Sequence, residues 1–157
     1  MTTALPRSHP ASLLATWFGA GLLPKAPGTW GSLAALPFAW GLWQVGGALA
    51  LGIATIVVSL VGWWAAARFV QATGIRDPSV VVVDEVAGQW LTLLAATPAE
   101  PWTYLAGFLL FRLFDIKKPG PIGWLDRHVE GGLGVMADDI LAGLFALICL
   151  GLVRWVL

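Results

Sequence analysis

Two pairs of adjacent acids, Asp84-Glu85 and Asp138-Asp139, each stand at the edge of an apolar stretch in this chain of 157 residues. A third group, Arg112, Asp115 and Lys118, repeats a charge every three residues, so a helix there carries all three along one face. Consecutive helical residues point about 100° apart, which lets one acid of a pair face a site while the other supports it or reaches a second ion. Asp84, Glu85, Asp115, Asp138 and Asp139 form an oxygen-rich set. Anions gathered this way repel unless a cation joins them, and oxygen donors without His or Cys suit Mg²⁺ rather than Zn²⁺. Arg112 and Lys118 beside them make a phosphate clamp, one a planar fork and the other a point charge. Asp84, Asp115, Arg112 and Lys118 are the candidate catalytic residues, with water and carboxylate both open as nucleophile.

The segment Pro27-Gly28-Thr29-Trp30-Gly31-Ser32 offers backbone N–H groups and two hydroxyls ahead of an apolar helix, with Lys25 nearby. Such a turn binds anions at a helix N-terminus, so Lys25, Gly28, Thr29 and Ser32 join Arg112 and Lys118 as candidate phosphate contacts. It lacks the Gly-Lys-Ser/Thr ending of a Walker loop, and ordinary helix initiation is the competing explanation. Gly131-Gly132-Leu133-Gly134 reads either as a tight loop before Asp138 or as a merely flexible stretch. Gly88 follows Asp84 by four residues and Gly143 follows Asp139 by four, and small residues one turn from the acids let helix backbones approach closely.

What is missing narrows the chemistry. There is no Gly-x-Ser-x-Gly elbow. The two histidines, His9 and His128, read as solvated, and the single Cys149 lies in an apolar run, which excludes disulfides and cysteine metal sites.

The elements that must carry these residues are membrane-like. Only 11% of residues are charged against 58% hydrophobic, and nine basic residues balance nine acidic ones. Neither a disordered chain nor a nucleic-acid binder fits that composition. From Ala26 to Ala67 there are 42 uncharged residues, twice what one span needs, so a hairpin is expected with its turn at Gly46-Gly47. Its first arm runs roughly from Leu33 to Val45 and contains Pro37; its second is Ala48 to Ala67. Further apolar segments at Val86–Thr97, Trp102–Leu113 and Ile140–Val153 are too short to cross unless their helices continue into the charged motifs. Val80 to Val83 reads as the start of the third helix, and Pro119 and Pro121 end the fourth.

The expected architecture is one all-α domain over residues 1–157, polytopic, with four to five apolar helices. Thirteen of eighteen charges fall within Arg76–Glu85 and Arg112–Asp139. The positive-inside rule puts these loops in the cytoplasm, and interfacial belts account for most tryptophans. No signal peptide is evident, so the mature chain starts near Met1.

Four ordered motifs carry a family resemblance: Pro-Gly-Thr-Trp-Gly-Ser-Leu at 27–33, Val-Asp-Glu-Val-Ala-Gly at 83–88, Phe-Arg-Leu-Phe-Asp-Ile-Lys-Lys-Pro-Gly-Pro-Ile at 111–122, and Gly-Gly-Leu-Gly-Val-Met-Ala-Asp-Asp-Ile-Leu-Ala-Gly at 131–143. From about Trp17 to the last helix the chain resembles the phosphatidylglycerophosphatase A family. The resemblance implies a Mg²⁺-dependent lipid phosphatase of the bacterial inner membrane, converting phosphatidylglycerophosphate to phosphatidylglycerol and phosphate at the cytoplasmic face. It places Asp84, Glu85, Asp115, Asp138 and Asp139 at the family's acidic positions, and Arg112 and Lys118 at its basic ones. The competing reading is a small divalent-cation transporter using the same acids, which would spread them through the spans.

Overall fold

A computed structural model describes residues 5–157, and every regular element among them is helical. The expectation about Met1 lies outside the described residues. α1 (Pro10–Ala15) is a short helix capped by His9, whose Nδ1 accepts the Ala11 N–H at 3.1 Å. A single 3₁₀ turn follows at Ala20–Leu22.

α2 (Pro27–Thr73) carries non-helical backbone at Gly46 (φ −152°, ψ 22°) and Gly47 (φ 61°, ψ −153°). The second of these conformations is open essentially to glycine alone, so the paired glycines make the break. Two arms result, residues 27–45 and 48–73. They form a hairpin, because Gly31 on the first arm packs on Val82 while Gly62 on the second packs on Val83. The first arm begins at Pro27, earlier than the expected Leu33, since proline is well suited to a first helical turn. Gly74, at φ 69°, closes the second arm by donating its N–H to Val70 O at 2.8 Å.

Val80–Val82 are not helical, contrary to expectation. The Val82 N–H donates to Ala15 O at 2.8 Å, which ties this segment to α1 and delays α3 (Val83–Leu93) until the acids. α3 has 11 residues and is about 16 Å long, too short to cross a bilayer alone. α4 (Trp102–Lys117), α5 (Pro121–His128) and α6 (Gly131–Val156) complete the fold. Helices α4 and α6 extend into the charged motifs, as a crossing would require. Pro121 opens α5 where a plain loop was expected. Gly131 to Gly134 form the first turn of α6 and not a loop: Gly132 lies on the Ala67 backbone and Gly134 on Val129 O, positions with no room for a side chain.

α3 lies between α2 and α6, and α4 flanks α6. The close approach expected at the small residues is present: a Cβ on Gly143 would come within 2.8 Å of Gly88 Cα, and one on Gly88 within 2.5 Å of Asp139 O. Thr92 Oγ1 donates to Gly88 O at 2.9 Å and to Gly143 O at 3.2 Å, stitching α3 to α6. Among the described residues two helices, α2 and α6, are long and apolar enough to cross a membrane, whereas α3 and α4 are shorter than a span. Leu49, Ile53, Ile56 and Leu60 form an exposed stripe at helical spacing on the second arm, a surface suited to an apolar environment. Two tryptophans are core residues rather than interfacial ones. Trp90 Nε1 donates to Ala35 O at 2.9 Å, and its ring meets Trp17 edge-on at 5.5 Å. At the end remote from the acids, Arg154 Nε donates to Glu100 Oε2 at 2.8 Å.

Candidate active site

The first turn of α3, the last turns of α4 and the third turn of α6 meet at one end of the bundle around a pocket of about 350 Å³. Asp84, Glu85, Arg112, Asp115, Lys118, Asp138 and Asp139 all line it. Residues more than fifty positions apart in the chain thus face a common volume.

Within it the acids separate into two groups. Asp84, Glu85 and Asp139 each place an oxygen within 4.8 Å of the other two. Asp84 and Asp139 are 7% and 4% exposed, and Asp84 Oδ1, Glu85 Oε2 and Asp139 Oδ2 are buried without a hydrogen-bond partner. Unpaired carboxylates in such surroundings each cost several kcal/mol unless an opposite charge joins them. Hard oxygen donors at this spacing could hold a divalent cation. Asp115 adjoins them, close enough to Glu85 and Asp139 to repel both. Its counter-charge is Arg112, whose Nη1 donates to Asp115 Oδ2.

Asp138 belongs to the other group. Lys118 Nζ donates to Asp138 Oδ2 at 2.7 Å and to Asp126 Oδ1 at 2.6 Å. The spacing of three suggests that Lys118 shares a face with Arg112 and Asp115, but α4 ends one residue earlier. Lys118 sits in the left-handed region at φ 45°, its N–H donating to Phe114 O at 2.8 Å, and that turn swings the side chain toward α5 and α6. The conformation costs a non-glycine residue about 1–2 kcal/mol. Burial alone would lower the Lys118 pKa, but hydrogen bonds to Asp126 and Asp138 and their charges outweigh it and raise the group above its ordinary value. This contribution is therefore complete at neutral pH and disappears only in strongly alkaline solution.

Removing the ammonium strands a carboxylate. Lys118→Ala should destabilise the protein by about 1–3 kcal/mol in detergent unfolding, because Asp138 is buried. Asp126→Asn, at a half-exposed partner, should cost less than about 1 kcal/mol.

The glycine-rich turn is placed differently from the expectation. Of Lys25, Gly28, Thr29 and Ser32, only Gly28 lines the pocket. A Cβ there would collide with Glu85 Oε1 and stand 3.2 Å from Arg112 Nη1, so Gly28 makes room for the charged groups. Ser32 is buried and its hydroxyl donates to Gly28 O at 2.9 Å, while Lys25 is exposed away from the wall. Asp126 and Arg76 are lining residues to which the sequence assigned no role. Arg76 Nη2 donates to Arg127 O at 2.7 Å and to Asp126 O at 3.2 Å, holding the end of α5 at the rim. His128 stays outside, exposed, stacked on Trp124.

The sequence model of phosphatidylglycerophosphatase A matches residues 13–154, which contain every charged residue of the pocket. The chain belongs to the phosphatidylglycerophosphatase A family. A phosphatidylglycerophosphatase A of Escherichia coli K12 is 42% identical over 146 residues, 90% of this chain and 82% of the relative. That of Haemophilus influenzae is 41% identical over 141 residues, 89% and 86% of the two chains. A Bacteroides thetaiotaomicron protein whose given name proposes a phosphatidylinositol-3-phosphatase is 40% identical over 157 residues, 92% of this chain and 94% of its own. No solved structure matches. In this phosphatidylglycerophosphatase A family member, then, the four motifs recognisable in the sequence are the walls of one pocket.

Proposed function

We propose that this chain hydrolyses the terminal phosphomonoester of phosphatidylglycerophosphate, giving phosphatidylglycerol and inorganic phosphate for phospholipid synthesis. One observation carries the reading: a single pocket in a phosphatidylglycerophosphatase A family member combines three partnerless buried carboxylate oxygens with Arg112 and Lys118. Asp84, Glu85 and Asp139, with Asp115 beside them, are the proposed holders of Mg²⁺, and the fit lies in their unpartnered hard oxygens. Bound there, Mg²⁺ would supply Lewis-acid polarisation of the phosphoryl group. The chain's own cations do the rest. Hydrolysis breaks the ester P–O bond, joins a water oxygen to phosphorus and returns a proton to the glycerol oxygen. Arg112 and Lys118 offset the charge that builds on the phosphoryl and leaving oxygens, Asp115 orients the guanidinium, and Asp126 and Asp138 orient the ammonium.

The setting proposed is the bacterial inner membrane, with the two arms of α2 and with α6 crossing it and the shorter α3 and α4 packed among them. The Arg- and Lys-bearing loops at the pocket end would then face the cytoplasm. A substrate tethered by acyl chains brings its phosphate to that depth. Clustering at one end also argues against the transporter reading, which needs acids along a path through the spans.

The Bacteroides relative's name favours testing another lipid phosphate beside the first. Purified protein in detergent with Mg²⁺ should release phosphate from phosphatidylglycerophosphate, and EDTA should stop it. Phosphatidylinositol 3-phosphate and phosphatidic acid complete the panel. Release from phosphatidylinositol 3-phosphate alone moves the assignment to that lipid; no release with any divalent ion defeats it.

A further inference from the structure

A second hollow, about 370 Å³, lies between the α1 region and the second arm of α2 and shares no lining residue with the acidic pocket. Leu5, Leu13, Phe18, Leu22 and Phe69 make its walls apolar. Leu13, Phe18 and Leu22 are also 42%, 64% and 46% exposed, so the hollow opens through an apolar collar. Three polar side chains interrupt it, and one of them, Thr16, spends its hydroxyl proton on Ser12 O at 2.8 Å. Ser12 is 5% exposed and its Oγ has no hydrogen-bond partner. Arg7 is exposed, and none of the ion pairs among the described residues involves it.

The hollow sits at the level of the acidic pocket, because Ala15 O accepts the Val82 N–H just ahead of Asp84. Helical ends and loops gather at that level, where the apolar outer faces of the helices give way to charge. A ligand matching this lining has a hydrocarbon body, an ester or amide oxygen for a buried hydroxyl, and an anion at its mouth. Cavities of such size and composition, with few convergent polar groups, are typical of small-molecule sites.

We propose that the hollow is a separate lipid site that takes one acyl chain of an anionic phospholipid from the leaflet, with Ser12 Oγ donating to its ester carbonyl and Arg7 on its phosphate. Phosphatidylcholine carries the same phosphate, but its choline cation cancels that charge and repels the guanidinium, so Arg7 favours a headgroup of net negative charge. The collar of Leu13, Phe18 and Leu22 seats the α1 region in the headgroup boundary. The site stands independently of the reaction assigned to the acidic pocket.

Native mass spectrometry of the delipidated full chain in detergent tests it with dioleoyl phosphatidylglycerol and dioleoyl phosphatidylcholine. The wild type should retain one phosphatidylglycerol in preference to phosphatidylcholine. Arg7→Gln should weaken that retention about tenfold, and Leu13→Trp, whose ring fills the hollow, should abolish it. Asp84→Asn should retain the lipid as the wild type does. A benzophenone side chain at exposed Phe18 should cross-link to phosphatidylglycerol, which reads the location without relying on either variant's folding. Equal retention of the two lipids, retention unchanged in Arg7→Gln and Leu13→Trp, loss in Asp84→Asn, or no lipid adduct at Phe18 would each overturn the proposal.

Discussion

Asp84→Asn and Asp139→Asn should each lower phosphate release by at least about a thousandfold while leaving the protein as stable as before, or more stable, in the absence of divalent ions. The two halves of that expectation have one cause. Each carboxylate is almost wholly buried, each keeps an oxygen without a hydrogen-bond partner, and both face Glu85 within a 4.8 Å triangle. Asparagine preserves the shape and removes a charge, so the folded chain loses a repulsion it otherwise contains. The proposed Mg²⁺ site loses the donor that repulsion serves. Losses of one preorganised electrostatic group commonly reach a hundred- to a thousandfold, and here the effect of a missing cation adds to it. Thermal unfolding in detergent separates the two halves. Mg²⁺ at about one hundred times its dissociation constant should stabilise the wild type by about 2.7 kcal/mol and the variants by far less. A variant that unfolds early without Mg²⁺ would show the acids to be structural, and one that keeps full turnover would remove them from the reaction. Asp126→Asn is the contrast, since its carboxylate pairs with Lys118 outside the triangle and should change turnover only modestly.

How much of this was legible before the structure depended on whether a local rule governed the residue. Gly46-Gly47 was readable because 42 uncharged residues cannot form one span and paired glycines supply the turn. The glycines at 88 and 143 were readable for a similar reason, since a small residue one turn from an acid implies a close neighbour, and each proves to face the other helix. Long-range pairing was not readable. Spacing put Lys118 on the face of Arg112 and Asp115, but where α4 stops depends on a left-handed turn at Lys118 itself, and that turn gives its ammonium to Asp126 and Asp138. Asp138 left the cation cluster by the same event. The hydroxyls of the turn at 27–32 pointed to anion binding by type alone, whereas Ser32 spends its proton on Gly28 O and Gly28 serves by having no side chain. A β-branched run at Val80–Val82 looked like helix because its partner, Ala15 O, lies far off in sequence.

Gly143→Ala should lower activity and Mg²⁺ affinity together, each by about a hundredfold, although residue 143 touches neither the proposed ion site nor substrate. The added Cβ would overlap Gly88 O and stand 2.8 Å from Gly88 Cα and 3.0 Å from Gly88 C, so the obstacle is backbone and cannot rotate away. Relief requires α3 to move off α6. That separation carries Asp84 and Glu85 away from Asp139, one helical turn from the contact, and it also strains the two bonds from Thr92 Oγ1 that join the helices. Overpacking of this kind costs about 1–3 kcal/mol, and a shift near 1 Å at the acids is enough to spoil a cation site or a reacting geometry by a hundredfold. Alanine is otherwise the better helix former by about 1 kcal/mol, so the sign of the stability change isolates the packing. Gly151→Ala supplies the comparison, because the same helix carries that glycine with nothing within 4 Å of the new methyl. It should leave turnover intact and hold or raise the unfolding temperature. Equal behaviour of the two alanine variants would mean that the α3–α6 contact does not set the distance between the acids, and that the pocket keeps its shape by some other contact.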